Sequence, residues 1–212
     1  MEIFPRRFGD ETYLAWERDY KWEAHRAWQA TLGRREWDAL RRDGAHQEVA
    51  RRVASFYARS HLNMLALYEW MALREALVDR RGGPLLAEGL YQLLHGRGSM
   101  GARVERFAEV LDQAPQRRTG LAKWPVATLF PFVADPRRHF ILKPRLVKRV
   151  AQRYGVDLRY RSRPNRQTYE DLLELVTWVR GALDAWRPRD LIDVQGFLWV
   201  TNSDEYEDWP WE

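Results

Sequence analysis

The stretch Pro144-Arg145-Leu146-Val147-Lys148-Arg149-Val150-Ala151-Gln152-Arg153-Tyr154 sets the interpretation of the whole chain. Proline suits the first turn of a helix, and Gly155, directly after the stretch, suits the position where a helix ends. Leu146, Val147 and Val150 recur at the spacing of one helix face, which predicts that this face packs against a core. The opposite face carries a basic stripe of Arg145, Lys148, Arg149 and Arg153. The stretch therefore predicts an amphipathic helix with a basic outer face.

Helical periodicity of this kind extends over most of the chain, whereas strand signals are nearly absent. Apolar and polar residues do not alternate over any long run, and no Asn-Gly or Asp-Gly turn joins β-branched segments. We therefore expect an all-α, multi-helix globular bundle of about eight helices. The predicted helices cover about residues 11–32, 45–80 with a break near Ser60-His61, 85–95, 99–111, 144–154, 168–186 and 187–200, and an apolar segment covers 124–134.

Composition divides the chain into three parts. An N-terminal helical part covers residues 1–112, a C-terminal helical part with the basic charge covers 120–202, and an acidic tail covers 203–212. Two motifs predict helix starts in the C-terminal part. Thr168 to Asp171 resembles a capping box, and Arg187-Pro188 is typical of the first residues of a helix.

Overall composition excludes several classes of protein. The chain is 45% hydrophobic and 13% aromatic, which argues against disorder, and no apolar run approaches the roughly 20 residues of a membrane span. The sequence has no cysteine, which excludes disulfides, thiolate metal sites and thiol catalysis. No signal peptide is visible at the N-terminus. We expect a cytoplasmic protein with no cofactor, no bound metal and no membrane partner.

Positive charge is concentrated in residues 137–166, here called the basic block. The basic block holds eleven arginines or lysines against one acid, Asp157, whereas the acidic tail holds five acids and no base. Of the 35 basic residues in the chain all but four are arginines, whose planar guanidinium groups suit phosphate recognition. A GC-rich or heat-adapted genome would also explain the arginine bias. Position is therefore more informative than composition.

The basic block predicts binding to a polyanion, with nucleic acid, and DNA in particular, as the leading ligand. Its helix carries the basic stripe, and its loop, residues 159–166, alternates bases with small or aromatic residues, a pattern that suits phosphates and stacking. The predicted nucleic-acid-binding residues are Lys143, Arg145, Lys148, Arg149, Arg153, Arg161 and Arg163. We expect contacts to phosphates rather than to base edges, in a protein associated with DNA repair or defence.

Two alternatives remain open for the basic block. In the first, the basic block is a solvated face that is neutralised by acids elsewhere in the chain or by the acidic tail of the same chain. In the other alternative the chain is a protein-interaction module, and its acidic tail, with Trp209 and Trp211, docks on the basic block of a second copy to form a homo-oligomer.

A third function class, an enzyme, rests on a predicted buried polar cluster. Glu69 shares a helix face with Leu62 and Leu73, so its carboxylate is expected to be buried. A buried carboxylate needs a partner, and Lys21 and His25, four residues apart on the first helix, are the candidates. The cluster is either an internal ion pair that joins two helices or a catalytic pair. The sequence leaves open whether the chain catalyses any reaction.

Two further patterns have structural explanations. Gly96 to Gly101 matches G-x-G-x-x-G, but the residues before it predict a helix rather than a strand, so we interpret it as a helix end followed by the N-cap Ser99. Asp190 and Asp193 have a spacing that suits Mg²⁺, yet acids in the first turn of a helix also complement its dipole. The five histidines show no metal-ligand spacing.

Several phrases in the chain resemble an uncharacterised family of bacterial all-helical proteins. The phrases are Trp124-Pro125-Val126-Ala127-Thr128-Leu129-Phe130-Pro131-Phe132, Phe140-Ile141-Leu142-Lys143-Pro144, Pro164-Asn165 with Thr168-Tyr169, and Pro188 to Trp199. The likeness covers mainly residues 124–200, with fainter matches at Tyr20-Lys21 and from Asn63 to Glu69. It implies a helical fold and no particular activity.

A second, weaker likeness is to the helix-hairpin-helix DNA glycosylases. Thr119-Gly120-Leu121-Ala122-Lys123 is similar to their hairpin, and the segment from Asp135 to Val150 is similar to the region after that hairpin. The chain departs from the family at two positions: Ala122 replaces the second hairpin glycine, and Lys143 stands where the catalytic aspartate begins a helix. The resemblance implies a related shape for the C-terminal half and affinity for DNA, without glycosylase chemistry.

Overall fold

The computed structural model describes residues 4–60, 62–115 and 120–206, and within these ranges the protein is all-α, with ten helices and no strand. Helix α1 combines α-helical Glu11–Tyr13, the π-helical turn Leu14–Arg18 and α-helical Asp19–Thr31. The others are α2 (Arg34–Arg42), α3 (His46–Arg59), α4 (Leu67–Val78), α5 (Gly82–His95), α6 (Met100–Gln113), α7 (Trp124–Ala134), α8 (Pro144–Tyr154), α9 (Arg166–Ala182) and α10 (Leu191–Asn202). The expected all-α bundle is confirmed.

The number of helices differs from the expected eight for two reasons. Helix α2 was not predicted, because Trp37 is its only buried side chain and the other positions are mostly charged. The predicted helix over 45–80 is two helices, because the chain breaks after Arg59, where a break near Ser60 was expected, and α4 begins at Leu67. The apolar segment 124–134 is also helical.

Two predicted helix starts were wrong. Helix α9 begins after Asn165, whose side chain accepts a hydrogen bond from the Thr168 backbone at 3.0 Å, so Asn165 and not Thr168 is the N-cap. The last helix begins after Asp190, whose carboxylate accepts the N–H groups of Ile192 and Asp193. Arg187 cannot start that helix because its φ of 53° is left-handed.

Other predicted boundaries are confirmed. Helix α8 begins at Pro144, ends at Tyr154 and is followed by Gly155 with a φ of 68°, the left-handed conformation that glycine favours after a helix. Gly96 follows the last residue of α5, and the Ser99 side chain accepts a hydrogen bond at the N-terminus of α6. The G-x-G-x-x-G pattern therefore joins two helices.

Buried apolar side chains from all ten helices form a single core, with α7 near its centre. Every residue of α7 from Trp124 to Val133 is buried. Side chains of α7 also fix the chain around it: the Trp124 indole donates to the Arg161 carbonyl at 2.8 Å, and the Thr128 hydroxyl accepts the Leu142 N–H at 2.9 Å. In the described ranges no helix combines the length and the apolar character needed to cross a membrane.

The π-helical turn in α1 buries two consecutive charged residues, Glu17 and Arg18, which are only 5% and 6% exposed. Arg18 forms a two-pronged hydrogen bond with Asp190, at 2.9 and 2.8 Å, and also contacts Asp193. Glu17 instead contacts Lys21. Widened π turns are frequent at functional sites, and this one places Glu17 in the wall of a cavity.

Candidate functional site

The basic stripe lies on the exposed face of α8, between the end of α10 and the loop after α8. Arg149 and Arg153 donate to the carbonyls of Asn202 and Thr201, at 2.8 and 2.7 Å, at the C-terminus of α10. The Lys148 ammonium lies 4.3 Å from the centroid of the Tyr160 ring. Arginine donors at carbonyls that end a helix satisfy those carbonyls and complement the helix dipole.

Acids elsewhere in the chain neutralise much of the loop half of the basic block. Arg159 forms a two-pronged ion pair with the buried Asp171. Arg163 contacts Asp112 at 2.8 Å, and Arg166 contacts Glu170 at 2.9 Å. The loop is therefore a poorer anion site than its sequence indicates.

The helix half of the basic block keeps more free charge. Arg149 forms an ion pair with Asp204 at 2.6 Å, at the start of the acidic tail of the same chain. Arg145 and Lys148 are exposed and form no ion pair with a described residue, and the same holds for the Arg161 side chain in the loop. Arg153 is also exposed and has no described carboxylate as a partner, but its guanidinium donates to the Thr201 carbonyl and the Asn202 side chain. Among the predicted nucleic-acid-binding residues, Arg145, Lys148 and Arg161 are therefore the exposed cations whose side chains form neither a hydrogen bond nor an ion pair with a described residue.

Lys143 is separated from the basic stripe. It precedes α8 as the N-cap residue, is half-buried, and faces a cavity with its ammonium 5.0 Å from the centroid of the Trp199 ring. Burial lowers the pKa of the Lys143 amine below its ordinary value, and the carboxylates of Glu205 and Glu69 oppose this shift. No carboxylate of the described residues forms an ion pair with Lys143.

The cavity that Lys143 lines, here called the polar pocket, has a volume of about 710 Å³. It lies between α1, residues 63–66, α10 and the single helical turn Asp204–Tyr206. Four aromatic side chains form much of its wall: Trp16, Tyr20, Trp199 and Tyr206. Burial raises the pKa of the Tyr20 and Tyr206 hydroxyls, so both remain protonated donors at neutral pH.

An ion pair closes one side of the polar pocket. The Lys21 ammonium donates to one Glu17 oxygen at 3.0 Å, and the Tyr206 hydroxyl donates to the other at 2.7 Å. Lys21 is only 2% exposed, and burial lowers the pKa of its amine, although the Glu17 carboxylate opposes this. The charge of Glu17 is therefore already matched within the chain.

Gln195 on α10 also lines the polar pocket and is 2% exposed. Its Oε1 is buried and accepts no hydrogen bond from any residue that the structure describes. A buried amide oxygen without a donor costs free energy, of the order of 1–3 kcal/mol, unless another group supplies that donor. Of the described side chains that line the polar pocket, Gln195 is therefore the one with a buried polar atom left without a hydrogen bond.

The three residues of the predicted buried cluster have separate partners. Lys21 is paired with Glu17, and the His25 Nδ1 lies 2.7 Å from the Val133 carbonyl oxygen. Glu69 is 7% exposed and accepts the Ala66 N–H at 2.9 Å, at the first turn of α4. Burial raises the pKa of the Glu69 carboxyl. Neither Lys21 nor His25 is hydrogen-bonded or ion-paired to Glu69.

Asp190 and Asp193 take part in a buried network rather than a metal site. Asp193 is fully buried and accepts hydrogen bonds from Tyr13 at 2.9 Å, from Arg18 at 2.9 Å and from Arg189 at 2.9 Å. In the part of the chain that the structure describes, no group of three or more His, Asp or Glu side chains is arranged to hold a metal ion. The network ties α1 to the start of α10.

No protein-family model matches the chain, and no curated protein and no solved structure matches it significantly. The two resemblances therefore stay predictions that rest on the quoted phrases. Of the residues named from sequence, His61, Thr119, Trp209 and Trp211 lie outside the described ranges.

Sequence patterns alone missed the polar pocket. Its side chains come from α1, residues 63–66, the residue before α8, α10 and the turn at 204–206, so no local spacing joins them. The burial of Glu17 was not predicted, because it depends on the π-helical turn, which buries the adjacent charged residues Glu17 and Arg18 together.

Proposed function

We propose that this chain binds nucleic acid through the exposed face of α8 in a bacterial cytoplasm. The observation that carries the proposal is the pair Arg145 and Lys148, exposed on one helix face and without a carboxylate partner among the described residues. Arg161 in the following loop supplies a third such cation. DNA is the favoured ligand because of the likeness to helix-hairpin-helix proteins.

The chemistry of this face suits phosphates rather than bases. Helix α8 packs its apolar side chains inward and presents basic side chains outward, which provides positive charge but no groove shaped for a base. Affinity should therefore depend strongly on salt and weakly on nucleotide sequence, because release of counterions from the phosphates drives the binding.

The proposal is tested by fluorescence anisotropy with a labelled duplex and a labelled single strand over a range of salt concentrations. The double reversal Arg145→Glu with Lys148→Glu should weaken binding by about tenfold or more and reduce the salt dependence by roughly two phosphate contacts. The matched control is Arg26→Glu with Arg59→Glu, which makes the same charge change at exposed positions on α1 and α3.

Two results would contradict the proposal. One is a failure of the wild-type chain to bind either probe at low salt. The other is an equal loss of affinity in the test and control variants, because that result would mean that binding follows net charge and not the face of α8.

A further inference from the structure

We propose that the polar pocket binds a small organic anion that carries a flat ring with an N–H donor. The acidic group would lie against Lys143, the ring between the aromatic walls, and the donor against Gln195. This site is distinct from the basic stripe, and the proposal does not depend on nucleic-acid binding by α8.

Charge balance inside the pocket points to an anion. Glu17 is the buried carboxylate of the pocket, and its two oxygens already accept from Lys21 and Tyr206. Glu205, at the rim, is exposed and accepts the Trp199 indole N–H at 3.1 Å. Lys143 is half-buried, and its ammonium lies 5.0 Å from the centroid of the Trp199 ring. The carboxylates of Glu205, Glu69 and Glu17 attract it, but none of them forms an ion pair with it. An acidic group on the ligand would restore the electrostatic balance that such a partly desolvated cation needs.

Gln195 specifies a second group on the ligand. Gln195 lines the same cavity as Lys143, and its buried Oε1 accepts no hydrogen bond from a described residue. An amide oxygen at this position recognises an N–H or O–H donor, and it would discriminate against a ligand without one because the oxygen would then stay unpaired.

The aromatic walls specify the shape of the ligand. Trp199 on α10 and Tyr20 on α1 both line the cavity, and the Trp199 ring is the one that Lys143 contacts. Aromatic side chains around a cavity of about 710 Å³ suit a planar ring, and cavities of several hundred Å³ hold ligands of nucleotide size. Because Lys143 is half-buried, an acidic group that contacts its ammonium would lie inside the pocket and not at its rim.

The test is isothermal titration of the full chain, without nucleic acid, with five probes. Guanosine monophosphate, adenosine monophosphate and anthranilate each combine a ring, an acidic group and an N–H donor, with phosphate or carboxylate as the acid. Guanosine has the ring without the acid, and inorganic phosphate has the acid without the ring. We expect at least one of the first three to bind with a Kd below about 1 mM, and guanosine and phosphate to bind at least tenfold more weakly.

Variants then locate the site. Lys143→Gln should weaken binding about tenfold or more, Lys143→Arg should retain most of it, and Gln195→Leu should weaken it severalfold. The matched control is Lys123→Gln, an exposed lysine outside both the pocket and the basic block. Thermal unfolding of each variant shows whether it is folded, and Lys143→Arg keeps the test informative if the glutamine variant is not.

The proposal is overturned if none of the three ring-bearing anions binds, or if Lys143→Gln binds as tightly as the wild type. Equal binding of guanosine and guanosine monophosphate would overturn the role of Lys143, and equal binding of inorganic phosphate would overturn the role of the aromatic walls. Because no nucleic acid is present, failure of the proposed function leaves each of these results unchanged.

Discussion

Arg149 on α8 and Asp204, in the turn after α10, form an ion pair with 2.6 Å between a guanidinium nitrogen and a carboxylate oxygen. The two side chains are 45% and 67% exposed, so the contact lies in water and contributes about 1 kcal/mol or less to stability. The start of the acidic tail therefore lies on the basic stripe of its own chain. An anion that approaches α8 competes with Asp204 for Arg149.

Removal of the Asp204 charge should strengthen nucleic-acid binding. Asp204→Asn leaves the guanidinium of Arg149 without its carboxylate and available to a phosphate, so affinity should rise severalfold and the salt dependence should increase by about one phosphate contact. The measurement is the anisotropy titration with labelled duplex. Asp184→Asn, at an exposed acid between α9 and α10, is the control for net charge. If Asp204→Asn binds no more tightly than this control, Arg149 takes no part in binding.

The features that were predicted correctly are those with a local physical cause. Helix α8 has a proline that suits its first turn and a glycine that suits its end, and both signals lie within one short segment. The predicted start of α9 was wrong because Asn165 and Thr168 both have side chains that can cap a helix. The Thr168 hydroxyl instead donates to the Arg159 carbonyl at 3.1 Å, a contact with another part of the chain.

The candidate site residues were likewise predicted correctly only where the cause was local in the sequence. Sequence grouped Lys143 with the basic stripe, because the two are adjacent in the chain and have the same charge. In the structure, α8 begins at Pro144. Lys143 precedes the helix as its N-cap residue and lines the polar pocket instead of the exposed face of α8. The partners of the loop arginines, such as Asp112 and Asp171, come from α6 and α9 and were not predictable from charge counts.

Loss of Asp193 should destabilise the fold. Asp193→Ala removes the buried acceptor that Tyr13, Arg18 and Arg189 share. Because Arg18 keeps its two-pronged contact with Asp190, the expected loss is that of buried donors left unpaired, roughly 1–3 kcal/mol. Urea unfolding measures the loss. Glu170→Ala, which removes the partner of the exposed Arg166, is the control and should change stability far less. Equal losses in the two variants would mean that the buried network adds nothing beyond a surface pair.

His139 should make stability depend on pH in mildly acidic solution. Burial lowers the pKa of His139 from 6.5 to about 4; Arg103 and Arg138 also lower it, whereas Asp135 opposes the shift. Between these two pKa values the unfolded chain binds a proton that the folded chain does not, so stability falls as pH decreases from 6.5 to about 4. The loss attributable to His139 is at most roughly 3 kcal/mol. Urea unfolding of His139→Gln across this range should show a weaker dependence on pH than the wild type, and an unchanged dependence would exclude His139 as its source.

Two glycines in helices should respond to alanine in opposite directions. A Cβ at Gly196 on α10 would lie 2.7 Å from the Tyr13 hydroxyl oxygen, so Gly196→Ala must displace the ring that donates to Asp193. We expect a loss of about 1–3 kcal/mol, because an added methyl group overpacks a closely packed contact. A Cβ at Gly181 on α9 meets nothing within 4 Å, so Gly181→Ala should gain about 0.5–1 kcal/mol through helix propensity alone. Thermal unfolding of the two variants measures both changes, and a gain in stability for Gly196→Ala would show that Tyr13 is not held tightly against α10.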